Sequence, residues 1–309
     1  MRVLVTGAAG RLGRLLAAKL ASQGEQVVGL DSRAWNDAPP GVEMIEADLL
    51  KRSAEDVFRT RRPEVVVHLA TLSHLEPSRE KRLRLNLTGT RNVIEFSRRY
   101  GAGSMIFVGR HTFYGATADS ALYHAEDDLP LGLEAYPELG DIVAADLYAG
   151  SALWRYPELQ TAVLRLCFTL GPAAAGTLGT LLGPARVPTV MGFDPLVQVM
   201  HEADAVSAIV HALAVPLRGV FNVAGPRPVP LSTLVRDTGR LAVPVPEPLF
   251  RLALARFGLP RLPDGVASFL KYPVVVDGSA FARRTGFQHE HDEQCTMHDY
   301  SAAVPVGLG

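Results

Sequence analysis

The sequence predicts an α/β fold, with a Rossmann-type doubly wound parallel sheet followed by a smaller C-terminal α/β lobe. Three observations support this. Short apolar, β-branched runs alternate with longer helical patterns through the first half of the chain, as expected for βαβ units. A glycine-rich turn joins the first strand to the first helix. Beyond Gly171 and Pro172, frequent Gly and Pro divide the chain into shorter pieces, which indicates a second lobe.

The alternation allows each element to be placed in order. We expect strands at residues 3–6, 26–30, 43–46, 64–69, 105–108 and 161–166, and helices at 12–22, 53–59, 79–100 and 142–156. A strand at 197–201 and a helix at 203–215 should return to the main sheet, followed by a strand at 219–223. The Rossmann domain would then comprise residues 1–171 with 197–224. The second lobe would comprise residues 172–196 and 225–309.

Composition excludes several classes of protein. The 309 residues are 48% hydrophobic and 20% charged, the balance of a packed globular protein. A net charge of -1 provides no basic surface, so nucleic acid is not an expected partner. Cys167 and Cys295 have no pair spacing, which predicts neither a disulfide nor a metal site and favours the cytoplasm. We find no signal peptide and no apolar run of about 20 residues, so no membrane association is expected.

The glycine-rich turn predicts a phosphate-binding loop. Gly7, Gly10 and Gly13 follow a strand and open a helix, the context that makes this spacing specific for a dinucleotide. Gly7 allows a tight turn, Gly10 lets the backbone approach a pyrophosphate, and Gly13 lets the helix pack against the sheet. The first helical residues, Arg11 and Leu12, would present backbone amides and the positive end of the helix dipole to the phosphates.

The end of the second strand indicates which dinucleotide is bound. Asp31 lies near the expected interval after the glycines, where a carboxylate accepts hydrogen bonds from the ribose hydroxyls. A 2′-phosphate would face that carboxylate, which favours NAD over NADP. Arg33, next to Ser32, and Arg11 are close enough in sequence to keep NADP as the alternative.

Several further segments match one family. In addition to the loop and Asp31, they are residues 47–49, 68–70, 86–90, 114–115, 165, 171–172, 192–198, 201–204, 221–225 and 277–287. Together they resemble the extended short-chain dehydrogenase/reductase superfamily, whose members include NAD-dependent epimerases and dehydratases. The resemblance covers nearly the whole chain.

The resemblance implies further cofactor contacts and a quaternary structure. It assigns Asp48 and Leu49 to the adenine. Leu69, Ala70 and Thr71 would follow the ribose and pyrophosphate, with Asn86 behind the sheet. Members of this superfamily often dimerise through the helix predicted at 79–100 and the helix after it, so a homodimer is expected.

The catalytic residues of the family are not at their usual positions. Its chemistry uses a Ser or Thr, a Tyr, and a Lys four residues after the Tyr that lowers the pKa of the phenol. Lys occurs in this chain only at positions 19, 51, 81 and 271. When Asp146 and Arg165 are used as landmarks, Glu138 falls at the Tyr position and Ile142 at the Lys position. Arg110 occupies the hydroxyl position, so the triad is degenerate.

Other titratable or polar side chains near the expected cleft are candidates for the lost roles: Arg110, His111, Thr112, Tyr114, Tyr136, Glu138 and Asp141. We favour a nonstandard enzyme that acts on a small molecule beside the nicotinamide. One alternative is a non-catalytic protein that senses NAD(H), and another is a conventional nucleotide-sugar epimerase, dehydratase or oxidoreductase. Phe168 stands where sugar-nucleotide enzymes often have Asn, which suggests a less polar ligand.

Overall fold

The computed structural model describes residues 1–73, 75–133, 136–174, 176–250 and 265–306. The predicted lobe at 225–309 therefore lies in part outside the described residues. The first half of the chain contains β1 (Arg2–Thr6), α1 (Arg11–Ser22), β2 (Gln26–Asp31), β3 (Val42–Glu46), α2 (Arg52–Arg61), β4 (Val65–His68), α3 (Arg79–Leu83), α4 (Thr90–Arg99), β5 (Ser104–Arg110), β6 (Tyr123–His124) and α5 (Gly140–Arg155).

The second half begins with β7 (Gln160–Leu166), β8 (Phe168–Leu170), α6 (Gly176–Leu181), β9 (Arg186–Val190), β10 (Leu196–His201), α7 (Glu202–Leu213), β11 (Gly219–Val223), β12 (Pro228–Pro230), α8 (Leu231–Asp237) and β13 (Leu241–Val245). It continues with helix Val266–Phe269, strand Val275–Val276, helix Ser279–Thr285 and helix Glu293–Ala303.

The main sheet has seven strands in the order β11-β7-β5-β4-β1-β2-β3. All neighbouring strands are parallel, which confirms the predicted doubly wound sheet. The strand predicted at 219–223 joins it as expected. Strand order reverses between β1 and β4, so a crevice opens beyond their carboxyl ends, where ligands bind in sheets of this type.

One predicted strand belongs to another sheet. Residues 197–201 were expected in the main sheet, but β10 pairs parallel with β8 and antiparallel with β12. The prediction was wrong because β11 occupies the edge of β7, in a register from Gly219 opposite Ala162 to Val223 opposite Leu166. The helix that follows β10, α7, does return to the main domain, where it packs on α1.

The helix predicted at 79–100 is interrupted. Between α3 and α4, residues Arg84–Gly89 form a π-helical segment. The Asn86 side chain leaves the helix to hydrogen-bond both the amide and the carbonyl of Leu72, at 2.7 and 2.9 Å. Thr90 Oγ1 donates to the Asn86 carbonyl. The irregular turn therefore fastens the helix to the loop that follows β4.

Apolar residues cover both faces of the main sheet. On one face, Leu4, Val66 and Phe107 belong to a core shared with α2, α4 and α5. On the other face, Val5 and Val67 join a core shared with α1, α7 and the C-terminal elements. Burial on both faces is what allows continuous apolar strands in parallel sheets. No helix in the described part of the chain is long and apolar enough to span a membrane.

Candidate functional site

The glycine-rich loop lies at the switch point of the sheet. Gly7 has a φ of +75°, and a Cβ on it would lie 2.9 Å from the amide nitrogen of Ala70. A side chain on Gly13 would collide with the Gly7 carbonyl oxygen. The loop therefore packs directly against the turn after β4. The first turn of α1 contains no acidic residue, so its amides and positive dipole end are available to an anion.

Asp31 ends β2 with its side chain almost fully buried. Its carboxylate accepts hydrogen bonds from the amides of Ala9 and Arg33, at 3.1 and 3.0 Å. The Arg33 guanidinium also contacts it at 3.3 Å, while two-thirds of that side chain remains exposed. Ser32 is exposed beside them. The buried carboxylate links the turn of the phosphate loop to the end of β2.

Residues from two further turns and from the helical segment Arg84–Gly89 were also predicted to contact the cofactor. Asp48 Oδ1 accepts from the Leu50 amide at 2.9 Å, and the buried Leu49 carbonyl accepts from Asn92 at 2.8 Å. Both lie in the turn after β3. Leu69, Ala70 and Thr71 form the turn after β4, which Asn86 holds through its two bonds to Leu72. Asn86 is thus a buried support of this turn.

A cleft of about 390 Å³ runs from the phosphate loop to the end of β5. The predicted cofactor residues that line it are Gly7, Gly10, Arg11, Leu12, Gly13, Leu69 and Thr71. The other predicted cofactor residues, Asp31, Ser32, Arg33, Asp48, Leu49, Ala70 and Asn86, are outside this lining. At its far end the walls are Arg110, His111, Thr112, Leu139, Ile142, Leu166, Cys167, Phe168 and Leu178. One continuous cleft therefore joins the two groups of predicted residues.

Arg110 lies at the last position of β5, where the sequence placed it. Its Nη2 donates to Thr71 Oγ1 at 3.1 Å, while its Nη1 is buried with no hydrogen-bond partner among the described residues. Burial lowers the pKa of the guanidinium. Asp141, another of the candidates for the lost roles, accepts from Arg82 at 2.9 Å in a buried ion pair.

His111 follows directly, and its side chain is 1% exposed. Nδ1 lies 3.2 Å from the Leu166 carbonyl oxygen. Since a carbonyl only accepts, Nδ1 must donate and Nε2 carries the lone pair. Nε2 is buried and unpaired among the described residues. Burial lowers the pKa of His111 to about 4, so the ring is neutral at pH 7.

Two other candidates lie near this end of β5 in different surroundings. Thr112 lines the cleft and its carbonyl accepts from Gly115. Tyr114 is outside the cleft lining and fully buried. Its hydroxyl donates to Asn222 at 2.7 Å and accepts from Arg165 at 2.9 Å. Burial raises the pKa of the Tyr114 phenol, which makes it a structural hydrogen-bonding group rather than a base.

Tyr136 and Glu138 precede α5 and are outside the cleft lining. Tyr136 is buried against Phe269, with ring centroids 5.8 Å apart, and burial raises its pKa far above the usual range. Glu138 is half-buried in a short 3₁₀ turn, Pro137–Leu139. The side chains that α5 and this turn bring to the cleft are Ile142 and Leu139. Of the two positions predicted for the family's Tyr and Lys, Ile142 is thus itself a cleft wall and Glu138 is next to one.

The comparisons with known proteins identify the family. Residues 3–224 match the NAD dependent epimerase/dehydratase family. The chain belongs to this family. A 3-diazoavenalumate denitrifying reductase of Streptomyces is 30% identical over 264 residues, which cover 81% of this chain and 84% of the relative.

Two further relatives and one solved structure are less similar to this chain in sequence. An uncharacterised protein of Mycobacterium tuberculosis is 28% identical over 79% of this chain and 67% of its own length. The chain covers only 31% of a second protein from that organism. Among solved structures, the UDP-glucose 4-epimerase of Thermus thermophilus in complex with NAD has a TM-score of 0.79, with 21% identity and full coverage of both chains. This last likeness concerns the fold.

Some lining residues were not predicted from the sequence. Leu139, Leu166, Cys167 and Leu178 reach the cleft from three different segments. Apolar residues in such segments give the same signal as core residues, so only the tertiary arrangement distinguishes them. Their position makes much of the wall around Arg110 apolar.

Proposed function

We propose that this chain binds NAD in the cleft and acts on a small molecule at its far end, beside Arg110 and His111, without a Tyr-Lys pair. The observation that carries this proposal is the continuity of the cleft. It runs from Gly7 of the phosphate loop to Arg110, His111 and Thr112 at the end of β5.

The residues present fit a dinucleotide. A Cβ on Gly7 would fill the space against Ala70, and the uncapped first turn of α1 faces the same cleft. These features suit a pyrophosphate held by backbone amides. The predicted contacts around them, Asp31, Asp48, Leu49, Leu69, Ala70 and Thr71, would hold the adenosine and ribose portions. The Thermus thermophilus structure with the same fold is a complex with NAD.

The end of β2 supports NAD over NADP. The buried Asp31 carboxylate would accept hydrogen bonds from ribose hydroxyls and would repel a 2′-phosphate. Arg33 already contacts this carboxylate, which balances part of its charge. Arg33 is also the cation that a 2′-phosphate would use, so NADP is the second candidate.

The far end of the cleft supports a reaction different from the family's usual one. NAD supplies hydride acceptance or donation when bound. The chain itself provides a fixed positive charge at Arg110 and a neutral acceptor at His111 Nε2. Arg110 would orient or stabilise a negatively charged group, and His111 would accept the hydrogen bond of a substrate O–H or N–H. With a pKa near 4, His111 would act as an acceptor and not as a general acid at pH 7.

Calorimetric titration of the purified chain with NAD, NADH, NADP and NADPH tests the first half of this proposal. Asp31→Ala removes an acceptor for two charge-assisted hydrogen bonds, each worth about 1.5–3 kcal/mol at most, so NAD affinity should fall by tenfold or more. Asp37→Ala is the matched control, because Asp37 is exposed on the surface. If none of the four dinucleotides binds at millimolar concentration, the proposal fails.

Turnover separates an enzyme from a protein that only senses NAD(H). We expect mass spectrometry of the native protein to identify a copurifying small molecule. Addition of that molecule should change the absorbance of bound NADH or NAD in wild type and not in His111→Phe. A ligand that binds with no change in the nicotinamide or in itself would favour the sensor.

A further inference from the structure

We infer that the far end of the cleft binds a monocarboxylate that has a hydroxyl or N–H group near the carboxylate and an otherwise apolar body. This inference rests on the proposed function, because it names the substrate class for the same cleft. It is carried by the juxtaposition of Arg110 and His111 within an apolar lining.

The first step is the charge of Arg110. The guanidinium is desolvated, and its one hydrogen bond among the described residues goes to the neutral hydroxyl of Thr71. Its buried Nη1 has no partner there. Asp141 attracts it electrostatically, but that carboxylate is hydrogen-bonded to Arg82. A buried cation without a paired anion is costly, so an anionic ligand would satisfy both its charge and its free donors.

The second step is the lone pair of His111. The bond to Leu166 fixes the proton on Nδ1 and leaves Nε2 as a buried acceptor. An unprotonated oxygen of the ligand would be repelled at this atom. A hydroxyl or N–H close to the ligand's anionic group would instead donate to it. Arg110 and His111 both line this end of the cleft, so a small ligand that reaches both residues should carry a donor group as well as an anion.

The third step is the rest of the lining. Arg11 and Arg110 are the charged side chains among the described residues of this cleft, and Arg11 is in the phosphate loop. Around Arg110 the walls are apolar except for neutral hydroxyl groups such as those of Thr71 and Thr112. The Phe168 ring lies edge-on to His111 with centroids 4.4 Å apart. One guanidinium balances one negative charge and matches the planar geometry of a carboxylate. A phosphate dianion would leave a second charge uncompensated among apolar groups.

A matched set of probes tests each step on the protein saturated with NAD. The probes are 3-phenyllactate, its neutral amide 3-phenyllactamide, 3-phenylpropanoate, which lacks the hydroxyl, and phenyl phosphate. We expect calorimetry to rank 3-phenyllactate first. The amide should bind about tenfold to a hundredfold more weakly, as expected for loss of hydrogen bonds to a charged group. The compound without the hydroxyl should bind several-fold more weakly.

Variants assign these differences to residues. Arg110→Met should reduce 3-phenyllactate binding to the level of the amide, and Arg110→Lys should restore part of it, since Lys keeps the charge but loses the planar fork. Arg186→Met is the matched control, because Arg186 is exposed on β9. NAD affinity and melting temperature, measured on the same samples, show whether each variant is folded and loaded with NAD.

Several outcomes would overturn the inference. They are absence of binding by every probe, equal binding of the acid and the amide to wild type, a preference for phenyl phosphate, or undiminished 3-phenyllactate binding by a folded Arg110→Met. The wild-type comparison of acid with amide needs no variant, so misfolding of Arg110→Met does not affect it. Failure of NAD itself to bind would refute the proposed function instead, which distinguishes the two failures.

Discussion

Arg165 and Asp146 form a buried ion pair beneath the end of β5. Arg165 Nε lies 3.2 Å from both carboxylate oxygens, and Nη2 lies 2.8 Å from Oδ1. A Cβ on Gly109 would lie 2.8 Å from Asp146 Oδ2, so the carboxylate packs directly on the strand. Arg165 also donates to the Tyr114 hydroxyl. The pair thus supports the backbone that precedes Arg110.

We expect Arg165→Met to cost about 3–5 kcal/mol of unfolding free energy, because it leaves the Asp146 carboxylate buried without its counter-ion. Arg218→Met is the control, since Arg218 makes exposed contacts to backbone carbonyls. Urea unfolding measures both variants. If the unfolding free energy of Arg165→Met falls by less than about 1 kcal/mol, the Arg165–Asp146 ion pair does not support the end of β5 as described.

The phosphate loop allows a test with an internal control. Gly7→Ala combines a left-handed φ of +75° with a collision at Ala70, whereas Gly24 has a φ of +83° and open space around it. Gly24→Ala should therefore cost only the backbone strain, about 1 kcal/mol. Gly7→Ala should cost more and should also weaken NAD binding at least tenfold. Equal effects of the two changes on stability and NAD affinity would contradict the close approach.

The sequence predicted the fold better than it predicted the cleft. Strand patterns and the glycine spacing are local, so β1, β2 and the glycine-rich turn between β1 and α1 were correctly placed. The placement of β10 depended on competition with β11 for the edge of β7, which no local pattern contains. The structural role of Tyr114 could not be predicted from local sequence either, because its hydroxyl is bonded by Arg165, 51 positions away. Arg110 was predictable because it ends a strand of the main sheet.

Two of the buried histidines, His68 and His111, predict how stability depends on pH. Burial lowers the pKa of His68 to about 3 and that of His111 to about 4, against about 6.5 in the unfolded chain. Between pH 6.5 and these values the unfolded state binds more protons, so stability falls as pH falls. Each residue contributes about 1.4 kcal/mol per pH unit in that window.

Urea titrations at pH 7, 6 and 5 measure this slope. His111→Gln should reduce the slope by the contribution of one histidine, about 1.4 kcal/mol per pH unit. His298→Gln should leave it unchanged, since His298 is 81% exposed. A slope that is the same in wild type and His111→Gln would show that His111 titrates normally in the folded protein.

Conventional epimerase or dehydratase activity is not expected. Leu139 and Ile142 line the cleft beside α5, and the Tyr136 phenol is buried with a raised pKa. No Lys between positions 81 and 271 is available to lower a phenol pKa. We expect turnover of common UDP- and dTDP-sugars well below the ordinary enzyme range of about 1 s⁻¹ or more. Rates in that range, in assays of the NAD-loaded protein, would show that another group replaces the triad.

We expect two copies of the chain to associate through the outer face of α5. Leu147 and Trp154 are seven residues apart on this helix, two full turns, and are 52% and 87% exposed. Leu83 on the neighbouring α3 is also 45% exposed. Exposed apolar groups on adjacent helices favour a symmetric contact with a second copy. We therefore expect sedimentation equilibrium to give about twice the chain mass of 33.3 kDa.

Trp154→Glu should convert this dimer to monomer, because it places a charge in the apolar contact and removes its most exposed apolar side chain. Leu241→Glu is the control: Leu241 is 60% exposed on β13, away from these helices, and its substitution should leave the mass unchanged. NAD affinity should be the same in both variants, since neither residue lines the cleft. A wild-type protein that sediments as a monomer at all concentrations, or a dimer that persists in Trp154→Glu, would exclude this face as the interface.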